Sequence, residues 1–131
     1  GAAATFTSLT VGGVAFPVSG TYTPTLTNTT NIATSTAFAC QYLRVGNVVH
    51  VAGRVDIDAT LAGATSTVLD MTLPIASDIA SSINLGGVGS NASGASGEIR
   101  GDATGNLARF TYPSGTTANS SFFFTFTYLV I

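Results

Sequence analysis

The sequence predicts an all-β domain, an antiparallel β-sandwich of the jelly-roll type. Helix formers other than Ala and Leu are scarce, while Thr and Ser are abundant and Gly occurs 15 times. Short runs of alternating apolar and polar residues recur, separated by Gly, Asn and Ser, which is typical of sandwiches and barrels. Only 8% of the residues are charged, against about 25% in an ordinary soluble domain. So little surface charge favours association between subunits.

Length and charge limit the classes of function. A chain of 131 residues is expected to form one domain. The net charge is -2, and all four cationic side chains are Arg. No basic stripe is present to neutralise phosphates, which argues against a nucleic-acid partner and against an anionic membrane surface. No run of 18 apolar residues occurs, so we expect no membrane-spanning helix.

The chain divides into two parts. Residues 1–19 hold a short strand and a Gly12-Gly13 turn, too little to build a core, and we interpret them as a shaft end or a linker. Residues 20–131 then form the β-sandwich head domain. Cys40 is the only cysteine, which excludes an intrachain disulfide and favours a small buried side chain.

Gly46-Asn47 is a strong hairpin signal between strands at 36–45 and 48–58. A two-residue loop pairs Val45 with Val48 and fixes the rest of the register. The predicted core-facing pairs are Phe38 with Val55, Cys40 with Gly53 (a tight approach or a bulge) and Tyr42 with Val51.

The opposite face of this hairpin is unusually apolar for a surface exposed to water. We therefore expect a second layer of the chain, or another subunit, to cover it. The residues predicted to form a trimer interface on this face are Leu43, Val45, Val48, His50 and Ala52.

A second hairpin is predicted for 97–103 and 106–112, around Thr104-Gly105. Its register pairs Ile99 with Phe110 on the core side and Arg100 with Arg109 on the outer side. Two like charges facing each other need compensation, which Glu98 and Asp102 supply diagonally. These residues form either a neutralised surface lattice, an interface, or a ligand site, because Arg binds carboxylates well. The candidate ligand residues are Arg100, Arg109, Asp102, Glu98 and Asn106.

Other segments complete the expected sheet. A strand at 65–73 ends at Pro74, one helical turn is expected within 76–82, and a strand follows at 83–88. The last strand, 121–131, alternates aromatic residues on one face with apolar or β-branched residues on the other. This pattern predicts a central strand that is buried on both faces. Tyr112 and the loop 113–120 offer an aromatic platform, although Tyr112 shares a face with Phe110 and core packing is favoured for it.

Catalysis has little support in the residue pattern. His50 is the only histidine, and we interpret it as a structural or interface residue, with a ligand contact or a metal ligand on a trimer axis as alternatives. Asp56 and Asp58 share one face of a strand end, where paired carboxylates serve glycoside cleavage or bind calcium. A solvated strand end is favoured for them. The sequence thus predicts no enzyme, no cofactor and no metal.

Residues 20–27 (GTYTPTLT) and 41–58 (QYLRVGNVVHVAGRVDID) resemble a segment found in C-terminal regions of bacteriophage tail fibres and related virion proteins. Residues 6–14 (FTSLTVGGV) resemble a motif that often ends a fibre shaft. The resemblance implies a homotrimer with a β-sandwich head that acts at the host surface, with a host glycan or protein as target. It implies no particular binding residues.

We therefore expect a receptor-binding fibre tip that trimerises, attaches to bacterial surface polysaccharide and performs no catalysis. One alternative is a structural virion module, such as a head fibre, spike or trimerisation cap, that binds no receptor. A polysaccharide-degrading domain is the third interpretation.

Overall fold

The computed structural model describes residues 10–11, 14–15 and 18–131. These residues form twelve strands and one short 3-10 helix. The strands, in chain order, are β1 (Thr10–Val11), β2 (Val14–Ala15), β3 (Val18–Tyr22), β4 (Leu26–Thr30), β5 (Ile32–Ala37), β6 (Cys40–Val45), β7 (Val48–Ala59), β8 (Thr65–Met71), β9 (Leu85–Ser90), β10 (Ser96–Asp102), β11 (Leu107–Ser114) and β12 (Ser120–Leu129).

Ten of the strands belong to one antiparallel sheet, which curls into a half-barrel. The order across the sheet is β3-β6-β7-β12-β9-β10-β11-β8-β4, and β5 pairs with β7 beyond the end of β6. β1 and β2 pair separately. The predicted all-β, antiparallel class is confirmed. The sequence predicted a sandwich, whereas these ten strands form a single curled sheet.

Glycines on the inner face of β9 and β10 help the sheet to curl. A Cβ atom on Gly89 would lie 3.1 Å from the Phe110 ring, and one on Gly97 would lie 2.7 Å from Cβ of Tyr112. The aromatic side chains of the half-barrel occupy the space that side chains on these two strands would otherwise fill.

The core fills the inner face of the curl and is built around β12. Phe122, Phe126 and Tyr128 are buried and pair in register with Val55, Val51 and Val49 of β7. The prediction of a central last strand is confirmed, since β12 lies between β7 and β9. Its predicted burial on both faces is wrong for the single chain, because Phe123 is 61% exposed and Leu129 is 46% exposed. The other buried apolar residues are Cys40, Ile57, Ala59, Leu69, Met71, Ile79, Leu85, Ile99, Ala108, Phe110, Tyr112 and Phe124.

The first hairpin has the predicted register near its turn. Val45 pairs with Val48, and Tyr42 pairs with Val51. The strand is broken at residues 38–39, however, so Ala37 pairs with Val55 and the predicted pairing of Phe38 with Val55 is wrong. A one-residue irregularity in a strand moves the side chains beyond it to the opposite face of the sheet.

Two contacts lie next to this break in the strand. Phe38 is only half-buried, and the guanidinium of Arg54 lies 4.4 Å from the centre of its ring. The predicted tight approach of Gly53 to Cys40 is confirmed, because a Cβ atom on Gly53 would lie 2.8 Å from Cβ of Cys40.

The second hairpin also has the predicted register, with Ile99 opposite Phe110 and Arg100 opposite Arg109. The helical turn lies later than predicted, at Ser82–Asn84, with Ser81 as the residue before its first turn. Asn84 Oδ1 accepts the Ser81 N–H at 2.8 Å, and β9 consequently starts at Leu85. No helix within the described part of the chain has both the length and the apolar character needed to cross a membrane.

Strand pairing defines two ends of the half-barrel. The near end is where the chain arrives, since Val18 pairs with Arg44 beside the 46–47 turn. The far end is opposite and carries Asn31 and the loops 60–64, 91–95 and 115–119. The predicted boundary between residues 19 and 20 falls within β3, and residues 1–9, 12–13 and 16–17 of the predicted linker lie outside the described residues.

Candidate functional site

The predicted Arg patch forms a charged cluster on the outer face of β8, β10 and β11. Arg109 donates two hydrogen bonds to Asp70, at 2.8 Å and 2.9 Å. Asp102 lies 3.6 Å from the same guanidinium, and Arg100 pairs with Glu98 at 2.9 Å. The structure therefore brings four of the five candidate ligand residues together with Asp70, whose place in this cluster the sequence did not indicate.

Asp70 accepts hydrogen bonds from two of the five N–H groups of Arg109. Its side chain is only 5% exposed, and its Oδ2 also accepts the Thr29 hydroxyl at 2.8 Å. The hydrogen bonds that Arg109 donates to the Asp70 carboxylate raise the pKa of Arg109, so this guanidinium stays charged. The Nε and Nη2 edge of Arg109 is consequently engaged by a carboxylate of the protein, although the side chain is 40% exposed.

Asp102 and Asn106 shape the turn of the second hairpin. The Asp102 carboxylate accepts the N–H groups of Thr104 and Gly105, at 3.3 Å and 3.2 Å. Asn106 adopts a φ of 56°, a conformation that Asn tolerates better than most residues. Both residues lie at the near end of the half-barrel, so the structure gives each a role in the local backbone.

A second part of the outer face, formed by β6, β7, β12 and β9, is apolar. We call it the apolar face. Small side chains at Ala52 and Thr125 separate its larger ones, and His50 lies within it, with Nδ1 3.0 Å from the Thr127 hydroxyl. All five residues predicted for a trimer interface belong to this face. Its large exposed side chains are Leu43, Val45, Val48, Val88, Phe123 and Leu129.

A shallow depression of about 580 Å³ crosses the apolar face between Gln41, Val88 and Phe123. At its edge, Arg54 makes two hydrogen bonds of 3.0 Å to Asp56. These hydrogen bonds hold the pKa of Asp56 below its usual value. The carboxylate of Asp56 is therefore ionised and already paired.

Asp58 is engaged separately, since its Oδ1 accepts a hydrogen bond of 2.9 Å from Asn119. The two carboxylates at this strand end thus have different partners and do not converge on one point. Across the residues with described positions, no group of three or more His, Cys, Asp or Glu side chains is arranged to hold a metal ion.

The far end carries a pocket of about 470 Å³, which we call the far-end pocket. It lies between the loops 91–95 and 115–119, with Tyr112 and Phe122 as its aromatic wall. The side chains of Asn91, Asn119 and Ser120 contribute amide and hydroxyl groups. The remaining lining residues are Ser93, Ala95, Gly115, Thr116 and Ala118.

Local hydrogen bonds fix both loops of the far-end pocket. Asn91 Oδ1 accepts the N–H groups of Ser93 and Ala95, at 3.1 Å and 2.9 Å. On the opposite loop, the Thr116 hydroxyl accepts the Ala118 N–H at 3.1 Å. Short polar side chains commonly stabilise turns in this way, so the pocket has a defined shape without a ligand.

The aromatic wall is part of the core. The Tyr112 and Phe122 ring centres lie 4.4 Å apart, and only 4% of Tyr112 is exposed. Core packing was the favoured prediction for Tyr112. Burial, with the nearby Asp58 charge, raises the pKa of Tyr112 to about 12, so its hydroxyl stays neutral at physiological pH. Sequence reasoning pointed to loop 113–120 but missed loop 91–95, whose signal is the Asn91 and Gly94 turn.

Comparisons with protein-family models, curated proteins and solved structures find no match to this chain.

Proposed function

We propose that this chain is a receptor-binding tip domain of a bacteriophage tail fibre, which forms a homotrimer and attaches to a host surface glycan without catalysis. The apolar face is the observation that carries the proposal. It supports self-association, and the resemblance of residues 20–27 and 41–58 to fibre proteins supplies the virion setting and the number of subunits.

The apolar face is continuous across neighbouring strands. Val48 pairs with Val45 on one side and with Leu129 on the other, so three exposed apolar side chains lie side by side. Monomeric proteins rarely expose large contiguous apolar patches, and those that occur often mark interaction sites. The inner face already forms a complete core, so this second apolar surface has no partner within the described chain.

The charged cluster lies on the other part of the outer face, around Arg100 and Arg109. This separation leaves the apolar face with few charges to desolvate, which favours contact with an identical copy. Packing of the curled sheets against one another in a trimer would provide the two layers that the sequence predicted as a sandwich.

The two ends of the half-barrel support the binding part of the proposal. A shaft that leads into β3 at Val18 reaches the near end, beside the 46–47 turn. The loops of the far end then point away from the shaft and are free to meet a receptor. Binding residues are commonly found on loops held by a rigid scaffold.

Sedimentation of the full chain at micromolar concentration tests the trimer. We expect a species of three chains, and we expect Val48→Glu to convert it to monomer by placing a charge in the interface. Ile83→Glu is the matched control, since Ile83 is 86% exposed on the 3-10 helix and outside the apolar face. A wild-type monomer would contradict the proposal.

Adsorption of the labelled chain to bacteria tests attachment. We expect binding to cells of at least one strain in a panel, and loss of binding when the surface polysaccharide of that strain is removed. A trimer that adsorbs to no strain would support the alternative, a structural virion module without a receptor.

A further inference from the structure

We infer that the far-end pocket binds a single neutral sugar residue of a surface glycan. This inference rests on the proposed function and names its site and the class of ligand. Three features of the pocket carry it: its size and lining, its lack of cationic groups, and its position in the fold.

The size and lining suit a small polar ligand that has one apolar face. The volume of about 470 Å³ lies within the range of about 300–1,000 Å³ found for ligand pockets. Ala95 and the small exposed part of Tyr112 supply apolar surface, while Asn91, Asn119 and Ser120 supply hydrogen-bonding groups around it. A pyranose ring presents the same combination, because its C–H groups and its hydroxyl groups face different directions.

The charges around the pocket favour a neutral ligand. None of the residues that line it is Arg or Lys. The Asp58 carboxylate is held beside the pocket by its hydrogen bond with Asn119. It would repel a carboxylate or phosphate in the pocket, so we expect a neutral sugar to bind better than its acidic counterpart.

The fold places the pocket where a receptor would arrive. Its two loops lie at the far end, opposite Val18, whereas Asp102 of the charged cluster and Asn106 of the adjoining turn lie at the near end. The hydrogen bonds made by Asn91 and Thr116 hold both loops in shape before binding. Such preorganisation reduces the entropy that a weak ligand must overcome.

Amide chemical-shift mapping on the full chain tests the inference. The probes are methyl glycosides of glucose, galactose, mannose and N-acetylglucosamine, together with the methyl glycosides of glucuronic and galacturonic acid. We expect at least one neutral glycoside to shift the amide signals of residues 91–95 and 115–120. Glucose and galactose have their acidic counterparts in the panel, which differ at C6, and each acidic counterpart should bind about tenfold more weakly than its neutral form.

Ala118→Trp provides the site-specific variant. Ala118 is an exposed loop residue that lines the pocket, so a Trp side chain there fills the cavity without entering the core. We expect it to weaken binding of the neutral glycoside by about tenfold or more. Ala62→Trp is the matched control, because Ala62 is exposed on loop 60–64 at the same end and should leave binding unchanged.

Three results would overturn the inference: no shift with any neutral glycoside, shifts that fall outside the two loops, or undiminished binding by Ala118→Trp. Stronger binding of the acidic counterpart would overturn the ligand class. Sedimentation and cell adsorption test the proposed function independently of the pocket. The chain could form a trimer and adsorb to cells while no neutral glycoside binds in the pocket. That result would contradict the assignment of the pocket and would still support the proposed function.

Discussion

Arg109 and Asp70 face each other across β11 and β8 and form an ion pair with two hydrogen bonds, at 2.8 Å and 2.9 Å. The Asp70 side chain is nearly buried, while the Arg109 side chain is 40% exposed. The pair joins β8 and β11, which are neighbours in the sheet although Asp70 and Arg109 are 39 residues apart in the sequence. It also keeps Arg109 from repelling Arg100, the residue directly opposite it on β10.

Asp70→Ala is expected to lower the free energy of unfolding by about 1–3 kcal/mol, because it leaves Arg109 and Thr29 without their common partner. Urea unfolding followed by fluorescence or circular dichroism measures this loss. Glu98→Ala is the matched control. Its ion pair with Arg100 is more than half exposed on both sides, so its loss should cost less than about 1 kcal/mol. Equal losses in the two variants would contradict the importance of the buried pair.

Local parts of the fold could be predicted from sequence, and non-local parts could not. A turn such as Gly46-Asn47 fixes the pairing of the residues beside it, so Val45 and Val48 were placed correctly. The same pattern could not reveal the break at Phe38. One irregular residue moves the side chains beyond it to the opposite face of the sheet, and the residue types in the strand remain the same. The contact of Asp70 with Arg109 depends on β8 lying next to β11, which no local pattern indicates.

For the candidate sites too, local features could be predicted from sequence and non-local ones could not. The apolar face was predictable, because alternation along one hairpin assigns Leu43, Val45 and Val48 to one side. The far-end pocket joins two loops that are distant in sequence, 91–95 and 115–119. The antiparallel path through β10 and β11, which the sequence predicted as the second hairpin, brings these loops to the same end. The contribution of Ser120 and Phe122 from β12 to the pocket became visible only with the strand order.

Gly53→Ala is expected to destabilise the protein by about 1–3 kcal/mol through overpacking. A Cβ atom there would lie 2.8 Å from Cβ of Cys40 and 3.2 Å from the Phe124 ring. Thermal or urea unfolding measures the loss. Gly86→Ala is the matched control on β9, where a Cβ atom would meet nothing within 4 Å.

The double variant Gly53→Ala, Cys40→Ala tests the cause of that loss. Cys40→Ala removes Sγ, the atom that would lie nearest to the added Cβ, and keeps Cβ. If Sγ is the main obstacle, the two substitutions together should cost less than the sum of the single losses. Strict additivity would place the obstacle elsewhere.

Asp56 is expected to contribute to stability in a pH-dependent way. Its folded-state pKa is lowered by the hydrogen bonds from Arg54. A carboxyl group with a depressed pKa stabilises the fold above its unfolded pKa of about 3.9, and this contribution disappears as the pH falls through the folded value. Asp56→Asn should therefore reduce stability at pH 7, and its difference from wild type should shrink at an acidic pH below the unfolded pKa of about 3.9. Urea unfolding at both pH values provides the comparison, and a difference that is constant with pH would contradict the expectation.

Asn31 is expected to be needed at the far end for two separable reasons. Its side-chain amide donates to the Thr67 hydroxyl at 2.9 Å, and its Oδ1 accepts the Leu61 N–H at 2.8 Å. Its backbone also has a φ of 57°, where a residue with a Cβ atom is strained unless, like Asn, it tolerates that region. Asn31→Ala loses both advantages and should lower the free energy of unfolding by about 2–3 kcal/mol.

Asn31→Gly separates the two contributions. Glycine removes the hydrogen bonds but adopts the positive φ freely, so this variant should be more stable than Asn31→Ala by about 1 kcal/mol. Hydrogen exchange should also show faster exchange of the Leu61 amide in both variants, because each removes the Asn31 acceptor. Equal stability of the two variants would show that side-chain hydrogen bonding, and not backbone conformation, is the reason for asparagine at this position.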